Sequence, residues 1–216
     1  MSIKRFLLSV SVFMLIGSFS YSQDWKLEMD KDGVKVYTRP VKGSNIKEFR
    51  GEITVKSNMG SILAIIDSVP EYTRWMYKCS YAERLKKINR ISGYVYSVLA
   101  SPWPLTDRDM CTYYNVTQDT NTRIVTISIK GVKDYIPSKP DKVRIPSIKG
   151  YWQLIPVSKG ITKVVYQVHS ESGGSVPASI VNMYITDTPY YNLINLKKIV
   201  ESPLLPKVYM KDVKEI

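Results

Sequence analysis

The chain has 216 residues, room for one large domain or two small ones, and its 31 Lys and Arg against 19 Asp and Glu give a net charge of +12. Two cysteines imply no disulfide framework, because a chain of this length buries an adequate core without one. No repeat, low-complexity block or Gly/Ser linker divides it, which excludes an array and favours one domain.

Lys4 and Arg5 open a short basic region, residues 6–19 form an apolar run, and Ser20-Tyr21-Ser22 supplies small residues before polar Gln23. That order is the pattern of a secretory signal peptide over residues 1–22, cleaved near Ser22-Gln23. No other run reaches membrane-spanning length, so the processed chain is expected to be soluble and periplasmic or secreted. Removing residues 1–22 takes away Lys4 and Arg5 and no acid, which leaves 29 basic and 19 acidic residues, a net charge of +10. An exported protein seldom meets nucleic acid, so the excess points to transient contact with an anionic membrane surface, or serves solubility alone.

Residues 25–29 and 34–39 flank Asp30-Lys31-Asp32-Gly33 and should pair as a hairpin. Residues 46–55 alternate as a third strand. Ser57 or Asn58 then caps a helix carrying Met59, Ile62, Leu63 and Ile66 at helical spacing, and Pro70 ends it before a further helical turn over 71–76. Strands are expected at 79–88, 91–99, 109–117 and 122–129. Two more follow at 149–156 and 162–169, after a basic stretch over 130–150. Glu171-Ser-Gly-Gly174 breaks the pattern, Pro177 suits the start of a helix, and Thr186-Asp-Thr-Pro189 interrupts that helix. About nine mostly consecutive, hence antiparallel, strands with a last helix lying across their concave face make an α+β fold. The domain is expected over residues 23–203, with a tail over 204–216.

The blocks Pro102-Trp103-Pro104-Leu105 with Arg108-Asp109, and Gly173-Gly174 leading to Pro177, stand in order with strands between them. In this arrangement the chain resembles the StAR-related lipid-transfer (START) family. The resemblance implies a helix-grip fold, with a strongly curved antiparallel sheet wrapped around the C-terminal helix and an apolar tunnel for one lipid. It implies that loop 101–107 packs against that helix and closes the tunnel mouth. Trp103, between two prolines, is either a stiff apolar flap that dips into a bilayer interface or a core residue pinned in place; both can belong to one cycle.

Strand alternation chooses the tunnel wall. Gly93, Val95, Ser97 and Leu99 share one face, as do Met110, Thr112, Tyr114 and Val116. Val164, Tyr166 and Val168 are expected inside with Trp152 and Leu154, while Lys163 and Gln167 face water. Ile180, Met183 and Tyr184 form the lid. Cholesterol-binding relatives carry a buried Glu and Arg where an ungapped match places Val95 and Tyr114. The resemblance therefore implies a more apolar tunnel with a phenol as its polar handle, and no sterol specificity is carried over. Arg108 and Asp109 are expected to form a structural ion pair at the loop base. Cys79 and Cys111, two inter-strand steps or about 9.6 Å apart in the family order, lie beyond bridging reach and should be free thiols.

His169 is the sole histidine and has no neighbouring nucleophile or metal-ligand spacing. No cofactor or metal is expected, and the chain is read as a monomeric, non-catalytic binder of a lipid or other hydrophobic small molecule. Two alternatives stay open: a cyclase or hydrolase acting on an apolar substrate in the same cavity, and a basic protein-interaction module whose cavity is filled by side chains.

Overall fold

A computed structural model describes residues 24–216; the expected leader over 1–22 lies outside the described residues. β1 (Lys26–Lys31) and β2 (Val34–Val41) are joined by Asp32 and Gly33, both at positive φ (53° and 78°). This is the two-residue turn whose twist matches that of the flanking strands. β3 (Ser44–Val55) leads to helix α1 (Met59–Asp67), a 3-10 turn (Val69–Glu71) and α2 (Tyr72–Trp75). β4 (Cys79–Lys87), β5 (Ser92–Leu99), β6 (Arg108–Gln118) and β7 (Val125–Gly131) form a meander. After β8 (Val143–Arg144), the hairpin of β9 (Ile148–Ser158) and β10 (Ile161–Ser170) precedes α3 (Ala178–Met183) and α4 (Asp187–Val200).

The sheet runs β1-β2-β3-β10-β9-β7-β6-β5-β4, with β8 added beside the start of β6. Every pairing is antiparallel except β8 with β6. Nine strands fall where alternation places them. The tenth, β8, has two residues inside the basic stretch, too short for any alternation to register. Irregular steps at Leu27/Met29, Arg39/Val41, Cys79/Tyr81, Arg84/Lys86 and Ile161/Thr162 add local twist and bend the sheet around its helices.

The last helix is two helices. Pro189 has no N–H to give and its ring would clash within a helix interior, so it sits in the first turn of α4 and α3 ends before it. α4 lies against β2, β3 and β10. Its Leu193 and Leu196 are fully buried in a core shared with Val34, Val36, Ile53 and Met59. Contact with β3 is close because of Gly51: a Cβ there would stand 2.7 Å from Leu193 Cδ1 and 2.9 Å from Pro189 Cβ. The tail continues from α4 across the N-terminus of α1. There the Glu215 carboxylate accepts the N–H groups of Met59 (3.2 Å) and Gly60 (2.8 Å), and Val208 N–H donates to Ser61 Oγ (2.9 Å). Asn58 makes no side-chain cap of its own, so the tail satisfies donors that α1 leaves open.

On the convex face the expected Arg108–Asp109 pair is corrected. Consecutive strand residues point to opposite faces, and Asp109 instead takes Arg144 from β8 (2.8 and 2.9 Å) and the Tyr96 hydroxyl (3.1 Å). Asp109 is 0% exposed. Burial alone would raise its carboxyl; the Arg144 guanidinium and Tyr96 outweigh that and hold it below the ordinary carboxylate value. The remaining Arg144 donors reach the carbonyls of Lys133, Ile136 and Pro137, so one guanidinium fastens the basic stretch to the sheet. Gln167 also departs from expectation. It is buried between Tyr151 Oη (2.6 Å) and Glu48 (2.7 Å) in a polar ladder on the outer face.

Two outcomes follow for stability. Gly51→Val should lower the unfolding free energy by about 1–3 kcal/mol, measured by urea denaturation, because the helix has to lift from the strand. Arg144→Met should cost about 3–5 kcal/mol by leaving Asp109 buried and unpaired, and Asp109→Leu with Arg144→Met should recover much of that loss.

Candidate functional site

α4 and α1 cover only part of the concave face. Along the remainder, a cavity of about 580 Å³ opens between β4–β7, β9, β10 and the helices. Its wall is largely apolar. Of the residues expected to line it, Val95, Leu99, Thr112, Tyr114, Trp152, Tyr166, Ile180 and Tyr184 do so, and so do Ser97, Met110, Val116 and Val168. Trp152 stacks on Tyr166 with ring centroids 3.8 Å apart, and Trp75 meets Trp152 edge-on, which makes a rigid floor.

Four expected residues lie elsewhere. Leu154 and Val164 point to the concave face as alternation requires, but both are fully buried in the packed core with Met59 and Ile62. They sit farther along their strands, where helices cover the sheet. Met183 is on the outer side of α3, 65% exposed, while Ile180 and Tyr184 of the same segment face the cavity. Trp103 is 93% exposed and touches neither core nor cavity wall; Pro102 and Leu105 supply the apolar contribution of loop 101–107.

The polar handle is more elaborate than a lone phenol. Tyr114 accepts a hydrogen bond from Arg84 on β4, and the same guanidinium reaches the Asp67 carboxylate (3.0 Å) and backbone carbonyl at the C-terminal end of α1. A cation there also complements the helix dipole. Burial pushes the Tyr114 phenol up. An Asp67–Arg84 pair from α1 and β4 thus stands behind the phenol. Gly93 on β5, paired with Tyr114 on β6, leaves room for the ring: a Cβ there would be 2.5 Å from the Lys86 carbonyl oxygen and 3.0 Å from both Tyr114 Cε1 and Oη. Sequence reasoning missed Arg84 and Asp67, as well as Leu63, Ile66 and Tyr72, which reach the wall from α1 and α2. The 59/62/63/66 spacing revealed a buried helical face but not which end of it meets empty space.

At the rim stand Lys47, Lys78, Arg108 and Asp187, with Asp187 3.4 Å from the Tyr77 hydroxyl. His169 does not line the cavity. Cys79 does, and burial raises its thiol; the Cys111 thiol is raised by burial too. Cys79 pairs with Leu99 and Cys111 with Tyr96, so β5 separates the two cysteines and both are free.

A curved sheet that grips a C-terminal helix over such a cavity defines a helix-grip protein. No protein-family model matches the chain. An uncharacterised protein of Pseudomonas aeruginosa is 34% identical over 194 residues, covering 90% of this chain and 95% of that one. The crystal structure of a STAR-related lipid transfer protein fragment from Xanthomonas axonopodis is similar at a TM-score of 0.77 and 32% identity, covering 82% of this chain and 99% of that chain. The chain belongs to the StAR-related lipid-transfer family. Human StAR-related lipid transfer protein 5, at 20% identity and a TM-score of 0.72, shares the fold; the match covers 82% of this chain and 86% of that chain.

With β5 between them, both cysteines should alkylate slowly in the native protein at pH 8 and completely in denaturant. Mass measurement without reductant should find two thiols; a disulfide would contradict the strand order.

Proposed function

We propose that the protein binds a single lipid in this cavity and carries it between membranes, without catalysing a reaction. The observation that carries the reading is the apolar cavity of about 580 Å³ under the gripped helix, a size in the range of small-molecule sites of about 300–1,000 Å³. Burying ten methylenes in it is worth about 8 kcal/mol at about 0.8 kcal/mol each, comparable with the cost of association of about 4–15 kcal/mol. A non-catalytic role is supported by the wall itself, which holds a thiol kept protonated by burial and no histidine.

Transfer requires contact with a bilayer. Trp103 and Tyr184 are exposed around the mouth, and aromatic side chains of this kind favour the membrane interface. The net charge of +10 expected after processing favours an anionic surface. Residues 1–22 would export the chain, so a monomer in the periplasm or outside the cell is the form we propose.

Native mass spectrometry of the purified protein should detect one extractable lipid per chain. Ser97→Trp, which places an indole into the cavity from β5, should reduce lipid uptake at least about tenfold with the fold intact by circular dichroism. Wild-type uptake by the filled variant would overturn the reading.

A further inference from the structure

Asp109 is taken by Arg144, and this leaves Arg108 on the opposite face of β6 with an unusual set of partners. Its Nη1 donates to Ser101 Oγ (3.2 Å) and to the carbonyl of Thr106, both uncharged. Among the described residues, no carboxylate lies within ion-pairing distance of it, and Nε and Nη2 make no hydrogen bond. The guanidinium is nevertheless part of the cavity wall, at the rim beneath loop 101–107. Its neighbours there are accounted for. Lys47 pairs with Glu28 (3.4 Å), Asp187 faces the Tyr77 hydroxyl, and at the far wall Asp67 is held by Arg84. Lys78 adds a second cation on the same side, because Lys78 precedes Cys79, Cys79 pairs with Leu99, and Leu99 pairs with Arg108.

Arg108 is half-buried and its Nε and Nη2 are not sealed from solvent, so this edge of the guanidinium stands open at the rim to an incoming partner. The Nε–Nη2 edge, the free one here, presents two parallel donors at the spacing of a carboxylate or phosphate. The geometry points to Arg108 as the anchor for an oxyanion headgroup, so that the ligand is an amphiphile with a carboxylate or phosphate head at the rim and its chain inside. This rests on the cavity being a lipid site. It also supplies what chain burial lacks, since methylene transfer alone only balances the cost of association.

The test compares dodecanoate, dodecyl phosphate and methyl dodecanoate, each displacing the uncharged dye Nile red from the full chain. Wild type should bind both acids about tenfold more tightly than the ester, the scale of one charge-assisted hydrogen bond. Arg108→Gln should erase that preference, so that the two acids and the ester displace the dye at similar concentrations. Arg108→Lys, which keeps the charge but not the fork, should fall between them and serves as the readout if the glutamine variant is poorly folded. Retention of the acid preference in both variants overturns the anchor while the cavity reading stands. Failure of wild type to bind any of the three removes both. Inorganic phosphate should not compete with dodecanoate; if it does at millimolar levels, the site is one for a free oxyanion and the headgroup assignment fails.

Discussion

The contact on which the rest of the structure depends is the seating of α4 on β3 at Gly51. Without a Cβ on that strand, Leu193 and Pro189 approach its backbone, and the helix packs tightly over β2, β3 and β10. A helix fixed so far to one side cannot also fill the concavity beneath β4 to β7. The sheet is continuous and bent, so those strands curve over a space no main-chain element occupies. The cavity is therefore a consequence of where the helix is held. Packing at interior density elsewhere, as at Leu154 and Val164, keeps the space from collapsing.

Charge is handled differently on the two faces of the same strand. On the convex side Asp109, Arg144 and Tyr96 form a buried set in which every strong donor of the guanidinium is used. On the concave side Arg108 keeps its Nε and Nη2 donors unspent, and at the opposite wall Arg84 divides its own between Tyr114 and Asp67. A buried pair closed on itself fixes a loop; a cation left open beside apolar surface suits a partner that arrives later. One residue's step along β6 separates these two outcomes.

Periodicity made much of this legible. Two-residue alternation identified nine strands and put Val95, Thr112, Tyr114, Trp152 and Tyr166 on the inner face, where they are found. It could not say how far along each strand the helices extend, and so Leu154 and Val164 were placed in the wall although they belong to the core. Nor could it see pairs made across distant segments. Arg144 lies 35 residues from Asp109 and reaches it through a two-residue strand, while Arg84 and Asp67 meet only because α1 ends beside β4. Met183 was expected in the lid from its helical spacing with Ile180 and Tyr184, yet so short a helix presents an outer side to water; Trp103, expected either as a flap or in the core, is exposed.

Restraint is distributed unevenly around the cavity, and that bears on where it opens. α1 is held at both ends, by Glu215 from the tail at its N-terminus and by Arg84 at its C-terminus. α3 has no buried residue and is tied to β3 through Asn182, which bonds Lys47 N–H and the Asn45 carbonyl (2.9 Å each). Among the described residues, the hydrogen bonds of residues 101–106 run only to one another and to Asp107 and Arg108. Such a loop can swing as a unit without breaking any bond to the helices. Local opening costs least where few buried contacts and few long-range bonds are lost. The path of least cost into the cavity therefore runs between loop 101–107 and α3, past the side chain of Arg108.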